Sequence, residues 1–204
     1  MHWIVLMLIA INGFCAQFVE DIDYERLPAS IARKEHGTTV SVQEFFNYGC
    51  PGCFALEKQL EPWVQAQGTH IQFSRVPVIF HAEWIYYAKA YYVAEKLHVE
   101  KKATPLLFNI IQVQKKDLLS DKAMAGFFQG LGISREVADS AFMHSTRMEM
   151  ALHHGAETMS KYNVMTIPAF VVAKTYKTDI VHAKTPERLM EILTFLVQKA
   201  ASEK

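Results

Sequence analysis

Residues 47–64 read NYGCPGCFALEKQLEPWV, where Cys50 and Cys53 stand three apart with Pro51 and Gly52 between them. Just upstream, TTVSVQEFFNYG (38–49) is dense in β-branched and aromatic residues and predicts a buried strand ending at Asn47 to Gly49. From Pro51 the period changes, and Cys53, Leu56, Leu60, Trp63 and Val64 fall on one helical face. Pro62 interrupts that pattern and predicts a kink. The cysteine pair therefore marks a strand-to-helix junction.

Four chemistries use such a pair. Structural zinc needs four ligands, and neither a second CxxC nor histidines at tight spacing accompany this one. Covalent haem needs His after the second cysteine, where this chain has Phe54. A purely structural disulfide stays open, although closing so short a loop removes little unfolded-state entropy. Redox exchange accounts for more of the residues. Gly49 can end the strand, Cys50 then occupies the N-cap region, and Pro51 takes the first helical position with its φ preset. A Cys50 thiolate there meets unpaired backbone N–H groups and the positive end of the helix dipole, both of which lower its pKa. Cys53, one turn further in on the core-facing stripe, is expected to be more buried and less ionised. In that arrangement Cys50 reacts with a partner and Cys53 resolves the mixed disulfide.

The chain has 204 residues, half of them hydrophobic and 12% aromatic, enough to bury one ordinary core and to exclude intrinsic disorder. Lys+Arg 21 balances Asp+Glu 21, without the basic stripe of a nucleic-acid binder, so no nucleic-acid partner is expected. The histidines show no HxxxH spacing and read as surface or core residues rather than metal ligands. The first nineteen residues contain no Lys, Arg, Asp or Glu. Residues 3–11 form an apolar run too short to span a bilayer, followed by Asn12-Gly13 and small residues. That outline predicts a secretory signal peptide over residues 1–16, although its usual positive start is missing; a buried N-terminal element is the alternative. Its removal leaves Cys50 and Cys53 as a lone pair, which fits an exported protein in an oxidising compartment.

Further on, HIQFSRV (70–76) alternates as a second strand, and residues 83–162 look almost wholly helical. Within that block Thr104 is expected as an N-cap with Pro105 in the first position, Gly132 as a helix stop, and Ser134 as the next cap. Tyr86, Tyr87, Tyr91 and Tyr92 line either a peptide groove or the core. Glu57, Lys58 and Glu61 read as a solvated helix face, with Glu57 one turn beyond Cys53. PAFVVA and DIVHA are expected to pair as a hairpin around KTYKT, before a last helix capped by Thr185 with Pro186 first.

One more segment, TIPAF at 166–170, opens a strand near the end of the chain. Joined to the strand-CxxC-helix unit, it makes an order that resembles the thioredoxin fold. EFFNYGCPGC is similar to the EFF…CPHC segment of the DsbA-like thiol-disulfide oxidoreductases, and VPVIFH followed by EWIYYAKAYYVAEKL resembles that family's entry into its helical insertion. The likeness covers essentially all of residues 20–200. It implies an α/β fold, with a thioredoxin-like domain over 17–82 and 163–204 and an all-helical domain inserted at 83–162. It further implies a cis peptide bond before Pro168, which faces Cys50, and substrate contacts at Ile167, Pro168, Pro51 and Gly52. Glu44, six residues before Cys50, matches the family's buried acid and is expected to accept the proton of Cys53; a structurally paired carboxylate is the alternative. Gly52 departs from the family's His, which removes one stabiliser of a Cys50 thiolate. The resemblance implies a monomeric periplasmic enzyme with no cofactor beyond the Cys50–Cys53 disulfide. It would oxidise unfolded exported proteins and be reoxidised by a DsbB-like membrane quinone reductase. A reductase or isomerase, or a non-catalytic peptide-binding or chaperone protein of the same fold, are the alternatives.

Overall fold

Alternating and continuous apolar runs build a sheet, and 3.6-period runs cover both of its faces. The computed structural model of the protein describes residues 18–33, 35, 37–143 and 145–203, so the expected signal peptide lies outside the described residues. Strand β1 (Glu25–Arg26) precedes β2 (Val40–Phe46), helix α1 (Pro51–Gln67) and β3 (Ile71–Pro77). Helices α2 (Trp84–Lys96), α3 (Glu100–Phe108), α4 (Asp121–Gly130), α5 (Arg135–Phe142) and α6 (Thr146–Lys161) follow, with a π-helical turn at Asn109–Val113. The chain returns to the sheet as β4 (Ala169–Val172) and β5 (Tyr176–Asp179), then closes with the single turn α7 (Ile180–Ala183) and helix α8 (Pro186–Ser202). The strand order is β1-β5-β4-β2-β3, parallel only between β2 and β3. That pair is joined by α1 as a βαβ crossover. The expected α/β thioredoxin fold with its helical block is therefore present.

The two sheet faces carry separate cores. Val40 and Val42 of β2 meet Leu56 and Leu60 of α1 and Leu189, Ile192, Leu193 and Leu196 of α8. On the other side Phe45, Phe46 and Tyr48 meet Tyr91, Leu107, Phe108 and Phe128 of the helical block, and both cysteines belong to this second core. The cysteines thus lie where the sheet and the helical block share one interior. Tyr87 and Tyr91 are buried, and Tyr86 and Tyr92 are packed against the same core. These tyrosines hold the helical block together rather than line an open groove.

Several local expectations need correction. Thr104 does not cap a helix: α3 starts earlier, at Glu100, and Thr104 is buried inside it with Oγ1 2.9 Å from the Tyr48 hydroxyl. The good helix formers Glu100 to Ala103 extend the helix backward past the proline, and a buried partner takes the hydroxyl. DIVHA is not a strand either. Tyr176–Asp179 pairs with β4, and the Asp179 carboxylate accepts Val181 N–H and His182 N–H, both at 2.9 Å, which turns the chain into α7. Pro62 lies within α1 without ending it. The caps at Ser134 and Thr185, and Gly132 in the left-handed region with φ 94, are as expected.

Candidate active site

Cys50 is the N-cap of α1, in extended conformation, with Pro51 in the first turn. The loop before it is tied down from three sides. Cys50 N–H donates to the Asn47 carbonyl at 3.0 Å, and Gly49 N–H donates to Asn47 Oδ1 at 2.9 Å. Asn47 Nδ2 in turn donates to the Val78 carbonyl at 2.8 Å, and Gln112 Nε2 of the π-helical turn donates to the Tyr48 carbonyl at 2.7 Å. Trp84 packs so closely on Gly49 that a Cβ there would lie 2.5 Å from its Nε1, so only glycine fits.

The two sulfurs differ as their positions require. Cys53 N–H donates to Cys50 Sγ at 3.2 Å, the bond an N-cap acceptor makes. Cys50 is held below the ordinary thiol range, first by the hydrogen bond from the Cys53 side chain, against the opposing effect of burial, and further by the Cys53 and Gly52 backbone N–H groups. Cys53, 1% exposed, is pushed well above that range, chiefly by burial and then by the neighbouring Cys50. Both are free thiols in this structure.

The Ile167–Pro168 peptide bond is cis, and the Ile167 carbonyl lies 3.7 Å from Cys50 Sγ. A Cβ on Gly52 would stand 3.3 Å from Pro168 Cδ and 3.8 Å from Cys50 Sγ. Residues separated by more than a hundred positions therefore form one surface. Pro51 and Gly52 bound it on the helix side, and Ile167 and Pro168 on the sheet side.

Glu44 lies beneath, almost fully buried, and its Oε2 accepts Arg75 Nε at 2.6 Å. Arg75 also donates from Nη2 to Glu57 Oε2 at 2.8 Å. Burial pushes the Glu44 carboxyl up to about 7; Arg75 pulls against this and Glu57 adds to it. Glu57 is raised for the same first reason, burial, with Arg75 opposing. Burial disfavours the Arg75 charge, but the two carboxylates hold it on. Glu57 is thus no solvated residue, because its side chain is 16% exposed and paired.

No protein-family model matches the chain. Among proteins of known identity, the thiol:disulfide interchange protein DsbA of Burkholderia cepacia is 33% identical over 81% of this chain and 77% of its own length. The chain belongs to the DsbA family. DsbA of Pseudomonas aeruginosa is 27% identical over 98% of the chain and 96% of its own length. The crystal structure of Pseudomonas aeruginosa DsbA superposes with TM-score 0.82, covering 92% of this chain and 97% of that one. The chain is a thiol:disulfide oxidoreductase with the DsbA thioredoxin fold.

In this DsbA-family chain the structure brings together Cys50, Cys53, Pro51, Gly52, Ile167 and Pro168. Glu44 lies below them, bonded to Arg75 rather than to either cysteine among the described residues. Sequence reasoning missed Arg75, Asn47 and Gln112. Arg75 did leave a signal, because it continues the inward series Ile71, Phe73 of β3 and lies directly across from Glu44 in the parallel register. A charge at an inward strand position needs a partner.

Proposed function

We propose that Cys50 and Cys53 form a redox-active pair that introduces disulfides into exported polypeptides. The observation that carries this is the asymmetry of the pair. Cys50 is an N-cap sulfur with a lowered pKa beside the Ile167 carbonyl, and Cys53 is a buried thiol with a raised one. In the oxidised protein a substrate thiolate attacks Cys50 Sγ. The Cys50–Cys53 bond breaks, Cys53 leaves as a thiolate and takes a proton, and a mixed disulfide joins Cys50 to the substrate. A second substrate thiolate attacks the substrate sulfur of that bond and expels Cys50 as a stabilised thiolate. Two electrons pass from the substrate dithiol to the pair, and the low pKa of Cys50 makes it the better leaving group.

Glu44, raised towards neutrality, is suited to hand Cys53 its proton and to take it back when Cys53 attacks a mixed disulfide in the reverse direction. Ile167, Pro168, Pro51 and Gly52 form the surface against which an extended substrate lies. Reoxidation falls to a membrane quinone reductase of the DsbB kind. Export through the leader of residues 1–16, a periplasmic location and a monomeric state belong to the same reading. So does the division into a thioredoxin-like domain at 17–82 and 163–204 and a helical domain at 83–162.

The test is to trap the intermediate. Cys53→Ala, purified and mixed with a reduced cysteine-containing protein and an oxidant, is expected to accumulate a covalent complex that migrates as one band without reductant and dissolves with it. A variant that gives no such complex, or gives one equally after Cys50→Ser is added, contradicts the assignment.

A further inference from the structure

The segment carrying Ile167 and Pro168 is held at both ends. At its start, Asn163 has φ 48 and its carbonyl accepts Lys177 Nζ at 3.1 Å. At its end, the Pro168 carbonyl accepts Ile180 N–H at 3.1 Å. One run of charged and polar side chains joins these two bonds. Lys177 Nζ lies 3.0 Å from Glu25 Oε2, and Glu25 Oε1 lies 3.4 Å from His182 Nε2. His182 Nδ1 lies 2.8 Å from Asp179 Oδ1, the same oxygen that accepts Val181 N–H and His182 N–H. Asp179 thereby fixes the turn whose first residue, Ile180, bonds Pro168.

Lys177 and Asp179 are only 6% and 7% exposed. Burying such charges costs desolvation energy that apolar residues in the same places would not incur, so stability alone does not account for them. What they grip is the segment that brings the Ile167 carbonyl to 3.7 Å from Cys50 Sγ.

We propose that Glu25, Lys177, Asp179 and His182 are positioning residues: a hydrogen-bonded clasp that holds residues 163–168 so that the Ile167 backbone can pair with an extended polypeptide beside Cys50. The proposal rests on the redox reading of Cys50 and names residues that touch neither sulfur. It separates two kinds of substrate. A polypeptide depends on backbone pairing with the clasped segment, whereas a small dithiol needs only the sulfurs.

The test compares oxidation of a two-cysteine peptide with that of dithiothreitol in wild type, Asp179→Ala, Asp179→Asn and Glu25→Gln. In Asp179→Ala the peptide KM is expected to rise about tenfold, the effect of losing one well-placed hydrogen bond, while kcat and KM with dithiothreitol change far less. Asp179→Asn keeps a capping oxygen and should return the peptide KM to within about threefold of wild type. Glu25→Gln, at a side chain 41% exposed where folding is little disturbed, should raise it by about threefold. An unchanged peptide KM in Asp179→Ala and Glu25→Gln overturns the clasp, as do parallel losses on peptide and dithiothreitol. Wild-type inactivity on both substrates would overturn the Cys50 reading and the clasp together.

Discussion

Replacing Cys50 by Ser is expected to abolish thiol-disulfide exchange, leaving insulin reduction and dithiol oxidation at the uncatalysed rate. A serine at the N-cap keeps the hydrogen bond from Cys53 N–H, so α1 should stay capped and the fold intact. What is lost is the sulfur that both forms the mixed disulfide and departs from it. Cys53 cannot substitute, because burial holds its thiol protonated and pushes its pKa well above that of Cys50. Circular dichroism and thermal unfolding should therefore match the reduced wild type while the activity disappears. Measurable catalysis by this variant would mean that the reacting group lies elsewhere.

Replacing Arg75 by Ala should have the largest effect on stability. Its guanidinium is the cation facing both Glu44 and Glu57, with side chains 9%, 1% and 16% exposed. Removing it strands two buried carboxyl groups, a change that costs about 3–5 kcal/mol. For a chain of this size that lowers Tm by about 6–20 °C. The sign with pH follows from the same geometry. Without Arg75 to pull them down, both carboxyls rise further, so their folded pKa values lie above the unfolded ones. Stability is then better retained at low pH, where they are neutral, and is lost as pH rises through the folded values. Thermal unfolding of the variant from acid to neutral pH should thus show a gap to wild type that widens upward. A gap independent of pH would mean that lost packing, not stranded charge, is responsible. Such a result would also weaken the case for Glu44 as a proton carrier.

What could be read from the sequence was mostly local. The strand, the N-cap cysteine, Pro51 and the helical stripe through Leu56 and Leu60 follow from residues within one or two turns of each other. So do the caps at Ser134 and Thr185. The cis-proline segment was reached only by resemblance, since nothing in TIPAF alone brings Ile167 to Cys50. Arg75 was passed over because HIQFSRV was read for its alternation, not for the charge that occupies an inward place in it. Thr104 and the DIVHA segment failed for a shared reason. In each a tertiary partner or side-chain cap, Tyr48 or Asp179, set the backbone against the local pattern. The two-residue β1 is too short to leave any period at all.

An oxidant role for the pair is expected from the state of Cys50. A lowered pKa stabilises the reduced protein, since the oxidised form has no thiolate to stabilise. That contribution is complete above the unfolded thiol value and is lost as pH falls through the folded Cys50 value. Gly52 supplies no imidazolium to strengthen it. The most direct measurement is the equilibrium of Cys50–Cys53 with glutathione at neutral pH, read by alkylation of the free thiols. A reduction potential above about −200 mV, well on the oxidising side of thioredoxin at about −270 mV, is the expected result. A value at or below the thioredoxin potential would contradict an oxidant role for this pair.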